Sequence, residues 1–501
     1  MAEQIERLPR AFLEEMEGLL GEEEMAQYLA SFDREWNRGL RVNEKKISGE
    51  TFFQRHQGMH GLKKVPWIGN GYWYDSSWTA SKDADYYAGL YYLQEPSAMT
   101  PASLLPVKPG DRVLDLCAAP GGKATELGVK LKGEGILFAN DISHSRSMAL
   151  LKNLELFGIT NSCVTSEAPE RLAEALPGFF TKILVDAPCS GEGMFRREPG
   201  MVTDWMERGP EYYCPLQRKI LLEAVKLLAP GGLLLYSTCT FSVRENEENI
   251  TFLCGEEKEM EVVPLPLFPG AAGGFGVLGV LRLFPHRIGG EGHFIALLRK
   301  KNKGEGSEEK QEGGERQEYR PKNNAWNLAA ERPRQRTGKT RMEKDERPDG
   351  DLGKEKKGEG QAFGDWEAFK KDLRVKFEPS RIRLLQGRMY YLPEDFPEGV
   401  RLRFLRTGLL LGEVKNGRFE PGQALAMCLR EDEFKRTICF LRGDERVVRY
   451  LKGETVTLKE DEGERKGWCL VCLEGGFPLG WAKGMGNVLK NKYCAGWRFL
   501  G

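Results

Sequence analysis

Along residues 106–298 the apolar residues gather in short unbroken runs, with helix-like segments between them. The runs 112–116, 135–139, 182–186 and 233–236 have the length and composition of buried strands. Segments 143–157 and 216–228 read as helices, the second closed by Pro230-Gly231-Gly232. Two more strands, 278–283 and 293–298, follow, joined by a Gly-rich loop. Alternation of this kind predicts an α/β fold: a doubly wound parallel sheet covered on both faces.

The pattern changes on either side. Residues 1–98 open with an acidic helix near 9–20 and continue through Tyr- and Trp-rich loops, an α+β region. Residues 363–501 show short alternating strands with turns, among them 389–392, 401–404 and 454–458, and predict a small β-rich module. Between them, 299–360 holds 18 Lys/Arg and 14 Asp/Glu and almost no apolar residues. Such a stretch buries too little surface to offset its ordering entropy and is predicted to be a disordered linker. The boundaries expected are 1–98, 99–298, 299–362 and 363–501.

Composition narrows the class. No run of roughly 18 apolar residues occurs, which excludes a membrane-spanning helix. Glu14, Glu15, Glu17, Glu22, Glu23 and Glu24 are unlike any leader peptide, so a cytoplasmic chain is expected. Eleven scattered cysteines do not form a disulfide framework and suit a reducing compartment. With 74 basic and 74 acidic residues the net charge is zero, which by itself argues against a nucleic-acid partner.

Run 112–116 carries Asp115 and leads into Cys117-Ala118-Ala119-Pro120-Gly121-Gly122-Lys123, after which a helix begins near Ala124 and Thr125. Small residues let a ligand approach such a turn, and a helix N-terminus favours an anion. The spacing is neither G-x-G-x-x-G nor G-x-x-x-x-G-K-[ST], so neither a pyrophosphate nor a triphosphate is favoured. Asp141, at the end of the next strand, can accept hydrogen bonds from both hydroxyls of a ribose. A ribose and one carboxylate without a polyphosphate describe S-adenosylmethionine. An ordinary strand–helix turn with a solvated aspartate accounts for the same residues.

Run 182–186 continues as Asp186-Ala187-Pro188-Cys189-Ser190-Gly191-Glu192-Gly193, and run 233–236 as Ser237-Thr238-Cys239-Thr240. Ligands of open α/β sheets bind outside the carboxyl ends of the strands, which puts both thiols in the cofactor's crevice. Ser242-Val-Arg-Glu245 reads as a capping box that fixes the turn presenting Cys239. A thiol beside a methyl donor suits methylation of cytosine at C5, because thiolate addition to C6 makes C5 nucleophilic. An acid is needed at N3, a role open to Asp186 if it is protonated or bridged, and a base must remove the C5 proton. The target base must be flipped out or single-stranded. Chemistry alone does not choose between Cys189 and Cys239, and either one taken singly also reads as a small buried hydrophobe.

These three motifs, in this order, resemble those of the Nop/Sun-type RNA cytosine-5 methyltransferases. Tyr92-Leu-Gln-Glu-Pro-Ser97, Phe419-Glu-Pro-Gly-Gln-Ala-Leu-Ala426, Lys490-Asn-Lys-Tyr-Cys-Ala-Gly-Trp-Arg498 and the acidic N-terminal region are similar to its bacterial RsmF branch, which acts on 16S ribosomal RNA. The resemblance implies a Rossmann-like methyltransferase sheet at 99–298, RNA recognition by 1–98 and a PUA-like RNA-binding module at 363–501. It implies S-adenosyl-L-methionine bound by Cys117, Ala118, Ala119, Pro120, Gly121, Gly122, Lys123, Asp141 and Asp186. Cys239 is the implied nucleophile, and Cys189 the residue that assists release of the product. The implied partner is RNA, as ribosomal RNA or the small subunit, for a monomer without metal or membrane. Transfer RNA as substrate, or an idle RNA-binding assembly factor, are the alternatives. An acidic or amide residue that the family often has after the third strand has no plain counterpart in Thr165-Ser166-Glu167-Ala168, where Glu167 is the substitute available.

Other patterns read blandly. His56-x-x-x-His60 has metal-like spacing in a poor helix without a third ligand, and Cys469-Leu-Val-Cys472 sits in an apolar run. The Trp and Tyr residues from 67 to 92 suit base stacking or an internal seam equally. Residues 1–298 carry a net charge of −10 and 299–501 of +10, so the neutral total hides a basic C-terminal part suited to phosphate backbones. Deleting 299–501 is therefore expected to weaken RNA affinity more than cofactor binding.

Overall fold

The computed structural model describes residues 5–35, 37–302, 359–415 and 418–499. Most of the segment read as a linker lies outside the described residues. Its ends do not: a strand runs on to Lys300, and a helix, Glu359–Lys370, begins before 363.

Ten strands make the central sheet: β1 (Arg112–Asp115), β2 (Ile136–Asn140), β3 (Ser162–Thr165), β4 (Phe180–Asp186), β5 (Leu228–Thr238), β6 (Met260–Val263), β7 (Ala271–Gly273), β8 (Leu281–Leu283), β9 (His293–Lys300) and β10 (Phe404–Thr407). Their order is β7-β8-β9-β5-β4-β1-β2-β3-β10, with β6 also beside β9. β5, β4, β1, β2 and β3 are mutually parallel, whereas β9 and β10 run antiparallel to their neighbours. β2 and β3 are buried along their whole length, which is why they read as apolar runs rather than alternating ones. The chain winds outward through β2 and β3, then returns to the other side of β1 as β4. The crevice between the ends of β1 and β4 is thus the topological switch point of the sheet.

Two boundaries differ from the reading of the sequence. The helix before β5 spans Gly209–Leu227 and continues through Pro215. Pro230-Gly231-Gly232 lies inside β5 as a bulge: Phe180 pairs with Leu228 and Lys182 with Leu233, and Gly231 takes φ +73°. The acidic N-terminal helix extends over Arg10–Ala30 with a break at Gly21 (φ 74°, ψ 167°). Its buried Phe12 and Tyr28 pack edge-on to Phe195 and Phe241, on the loops that follow β4 and β5.

The rest of the N-terminal region is a four-stranded sheet that ends in Arg38–Val42 and Tyr91–Leu93. From it Arg41, 1% exposed, reaches the helix after β1: it donates to Glu126 Oε2 (2.6 Å), Thr125 Oγ1 (2.7 Å), Gly122 O (2.6 Å) and Gln94 Oε1 (3.1 Å). The C-terminal part forms two small sheets of four and five strands. The strand expected at 454–458 is Val456–Thr457. The one expected at 401–404 is displaced to Phe404–Thr407 and leaves its own module to pair with β3. Removing 299–501 would strip that strand from the sheet, so the deletion would disturb residues 99–298 as well, which the charge division did not foresee. Among the described residues no helix is long and apolar enough to cross a membrane.

Arg41→Ala leaves Glu126 buried without its cation, and a broken buried pair costs about 3–5 kcal/mol. Urea unfolding should show a loss of that order, whereas an exposed pair such as Arg10–Glu14, when broken, should cost less than about 1 kcal/mol.

Candidate active site

The turn after β1 is tied to the strand ends on both sides. Leu116 N–H donates to Leu184 O (3.0 Å), Ala118 N–H to Asn140 O (2.7 Å) and Asn140 Nδ2 to Leu116 O (3.1 Å). Gly121 takes φ +112°, open to glycine at little cost, and the helix starts at Gly122. A Cβ on Gly122 would lie 3.0 Å from Gln94 Nε2 and 3.2 Å from Tyr92, so the N-terminal region packs directly on the turn.

Lys123 turns back from the first turn of that helix to donate to Asp186 Oδ2 (2.7 Å), while Ser237 Oγ donates to Asp186 Oδ1 (2.7 Å). Burial alone would raise the Asp186 pKa, but the charge of Lys123, with these hydrogen bonds, holds it below the usual carboxylate range. The protonated carboxyl considered for N3 is therefore not its resting form, and the bridged arrangement fits the two bonds better. Asp115 behaves in the opposite way. It is fully buried, both oxygens lie outside hydrogen-bond geometry, and burial beside Asp186 pushes its carboxyl up to about 8.

Asp141, 3% exposed, accepts from Ser143 N (2.9 Å) and lies 3.4 Å from Arg146 Nη1; Arg146 in turn donates to Ala119 O (2.8 Å). These groups border a cleft of about 530 Å³, lined by Cys117, Ala119, Asp141, Asp186, Cys189 and Cys239 among others. Ala118, Pro120, Gly121, Gly122 and Lys123 do not line it. They shape the turn from behind, and Lys123 acts through Asp186.

The two thiols meet: Cys189 Sγ and Cys239 Sγ are 3.3 Å apart. The hydrogen bond to Cys239, then burial, push the Cys189 thiol well up, so Cys189 stays protonated. Their loops are joined by Ser190 Oγ to Thr240 Oγ1 (2.8 Å) and by Gly193 N–H to Cys239 O (2.8 Å). A Cβ on Gly193 would lie 2.8 Å from that carbonyl oxygen and 2.8 Å from Gly292 Cα. The capping box expected at 242–245 does not form. The helix begins at Glu247, because the Glu245 carboxylate is engaged by Ser190 N–H (3.1 Å) and Gln217 Nε2 (2.6 Å). Glu245 still fixes the thiols, through the loop rather than through a helix cap.

A second group of residues was not singled out from sequence. Glu95 accepts from Ser97 N (2.9 Å), Ala98 N (3.0 Å), Glu291 N (2.9 Å) and the Ser97 hydroxyl. The only hydroxyl proton of Ser97 is thereby committed, so His293 Nδ1, 3.2 Å from Ser97 Oγ, carries its own proton and donates it. Burial, then the charge of Lys123, push His293 down to about 3 and keep it neutral. Glu95 and Ser97 lay in the lead-in before the first motif, but nothing in the pattern links them to a residue almost two hundred positions later.

Neither the histidine pair nor the paired cysteines form a metal site. His56 Nε2 lies 3.0 Å from Asp85 Oδ2, its Nδ1 accepts from Arg442 (3.3 Å), and His60 stacks on Trp78 at 4.1 Å. Cys469 and Cys472 are buried in the strand Arg465–Leu473. Trp78 and Tyr91 are buried, and Trp67 stacks on Phe268, so these aromatic residues form an internal seam. Glu167 does border the cleft, but its carboxylate accepts from Arg403 N (2.6 Å).

Asp115 binds a proton in the fold that the unfolded chain releases near pH 4, as does Glu192, which burial raises to about 7. Their contribution to stability is therefore lost as pH rises from about 4 to 8. Urea unfolding at pH 5, 7 and 8.5 should show that loss, and Asp115→Asn should flatten it.

Comparison with known families matches residues 102–299 to 16S rRNA methyltransferase RsmB/F and 8–96 to the N-terminal domain of 16S rRNA methyltransferase RsmF. Residues 368–429 match the first C-terminal domain of RsmF rRNA methyltransferase, and 439–499 the methyltransferase RsmF PUA domain. The ribosomal RNA small subunit methyltransferase F of Serratia proteamaculans is 36% identical over 302 residues, 58% of this chain and 63% of that protein. Its counterpart from Escherichia coli O17:K52:H18 is 36% identical over 60% of this chain and 65% of that protein. The matches thus span somewhat less than two thirds of these relatives. A solved methyltransferase homolog protein from Pyrococcus horikoshii is 30% identical, with a TM-score of 0.50, over 56% of this chain and 92% of that one. With four successive family matches following the order of its sheets and motifs, the chain belongs to the RsmF branch of the RsmB/F family of 16S rRNA methyltransferases.

Proposed function

We propose that the chain methylates carbon 5 of a cytidine in 16S ribosomal RNA, with S-adenosyl-L-methionine as donor and a transient bond between Cys239 and C6. The observation that carries this reading is the pair of thiols 3.3 Å apart at the ends of two adjacent parallel strands, opening on the same cleft as Asp141 and Asp186. The cleft suits the donor chemically. Asp141 offers a carboxylate to a ribose, and Ile142, Pro169 and Ile220 give an apolar wall. Bound there, S-adenosylmethionine supplies an electrophilic methyl group.

The chain's own groups account for the remaining steps. The Cys239 thiolate, stabilised by the S–H of Cys189, adds to C6 and moves an electron pair toward C5. Asp186, bridged to Lys123 and Ser237, meets the N3 edge of the ring, where the ammonium balances the developing charge. Once C5 carries the methyl group, a solvent water takes its proton, the C–H electron pair re-forms the C5–C6 double bond, the S–C6 bond breaks, and its electron pair returns to Cys239. Cys189, in contact with that sulfur, assists the release. Residues 1–98 and 363–501 present the RNA, the second with an excess of six positive charges.

Cys239→Ala should abolish methyl transfer to 16S RNA and leave donor binding largely intact. Cys189→Ala should instead accumulate a covalent protein–RNA adduct, seen as a shifted band on denaturing gels. An adduct from Cys239→Ala would reverse the two roles, and full activity in both variants would remove the thiol mechanism.

A further inference from the structure

One side of the cleft is supported from outside residues 99–298. β10 pairs with β3, with Phe404 opposite Thr165 and Thr407 opposite Cys163, and the pairing continues past both ends through Ser166 N–H to Arg403 O (3.1 Å) and Gly408 N–H to Ser162 O (2.9 Å). Arg406 pairs with Glu155 at 2.6 Å, both largely buried. Where β3 ends, the chain reaches Glu167, whose backbone is held by Asn140: Glu167 N–H donates to Asn140 Oδ1 (3.0 Å), and Asn140 Nδ2 to Glu167 O (3.0 Å). The same Asn140 ties β1 to β2, so the Glu167 backbone is part of the cleft floor. Its side chain is held by a different part of the molecule. Arg403 N–H donates to Oε1 (2.6 Å), and Arg403 Nη2 lies 3.4 Å from Oε2.

We propose that Arg403 is a positioning residue for the cofactor: it fixes the Glu167 carboxylate at the cleft, so that donor affinity depends on the C-terminal segment being seated against β3. With its backbone fixed by Asn140, the Glu167 carboxylate keeps only its side-chain rotations, and Arg403 selects among them. Oε1 accepts from the Arg403 backbone N–H, which a substitution keeps, and Oε2 accepts from the Arg403 side chain, which leaves a second lone pair of Oε2 for an amino group of a ligand in the cleft. Glu167 is 7% exposed while Arg403 is 71% exposed, so the pair has one end in the cleft wall and the other at the surface of the C-terminal part. The chain segment that orients this carboxylate therefore belongs to the half of the molecule with the basic excess. Seating of that half and occupancy of the cleft are linked, and by reciprocity each favours the other.

This inference rests on the cleft being the S-adenosylmethionine site, and the experiment separates the two. Calorimetric titration of the full-length chain with S-adenosylhomocysteine and with its deaminated analogue S-inosylhomocysteine reads both the affinity and the selectivity for an amino group. The wild-type chain should prefer the amino-bearing ligand, and Arg403→Lys should retain most of that preference. Arg403→Ala should weaken S-adenosylhomocysteine about threefold and Arg403→Glu about tenfold, as suits removing or reversing the charge in a half-exposed ion pair. In both, the inosyl ligand should lose less. Equal losses for the two ligands, or an unchanged affinity in Arg403→Glu, would overturn the positioning role. A wild-type chain that binds neither ligand would overturn the cofactor reading itself. Arg403 is exposed enough that Arg403→Ala should keep the wild-type melting temperature, so its result stands even if Arg403→Glu unfolds.

Discussion

The Lys123–Asp186 pair holds the crevice at the switch point together. Its ammonium comes from the first turn of the helix after β1 and its carboxylate from the end of β4, the two strands that part at the switch point. Ser237 at the end of β5 takes the other carboxylate oxygen, and neutral His293 at the start of β9 stands beside the ammonium. Four elements thus converge on one charge pair. A glycine turn free to move relative to β4 would let that turn and the thiols drift apart, and this contact is what joins them. It also sets the protonation around it: Asp186 keeps its charge because Lys123 is near, and Asp115, fully buried beside that carboxylate, gives up its charge instead.

Around that centre the chain closes from both ends. The Arg10–Ala30 helix packs its aromatic residues on the loops that carry the thiols, and Arg41 grips the helix below the glycine turn. From the other side Arg442 reaches Asp83 (2.6 Å) and His56 in the N-terminal region, so the first and last parts of the chain also touch each other. The acidic and basic halves read from the charge count are therefore not separate bodies. They share one sheet and several buried polar contacts.

What the sequence made legible was local. Buried parallel strands read as apolar runs, the small residues after Asp115 read as a strand-to-helix turn, and the motif cysteines fell at strand ends because short-range pattern decides those features. Three of the differences involve partners far along the chain. Ser242-Val-Arg-Glu245 has the spacing of a cap, yet Glu245 finds Ser190 and Gln217 and stays out of the helix. Pro230-Gly231-Gly232 looks like a helix stop, yet β4 pairs on both sides of it and absorbs it as a bulge. The strand near 401–404 was seen but its partner was not, since no periodicity tells an edge strand which sheet it will join. Glu95, Ser97 and His293 form a hydrogen-bonded set that only the folded chain assembles.

The position of β10 has a consequence for how the molecule comes into being. β3 is complete at Thr165, but the strand that covers its outer edge begins at Phe404. A chain emerging from its N-terminus must therefore expose the backbone donors and acceptors of a fully buried strand until more than two hundred further residues have been added. Open edges of that kind invite pairing with other chains. Completion of the sheet therefore waits until the chain has been made as far as Thr407 of its 501 residues, and only then does the cleft acquire its final wall.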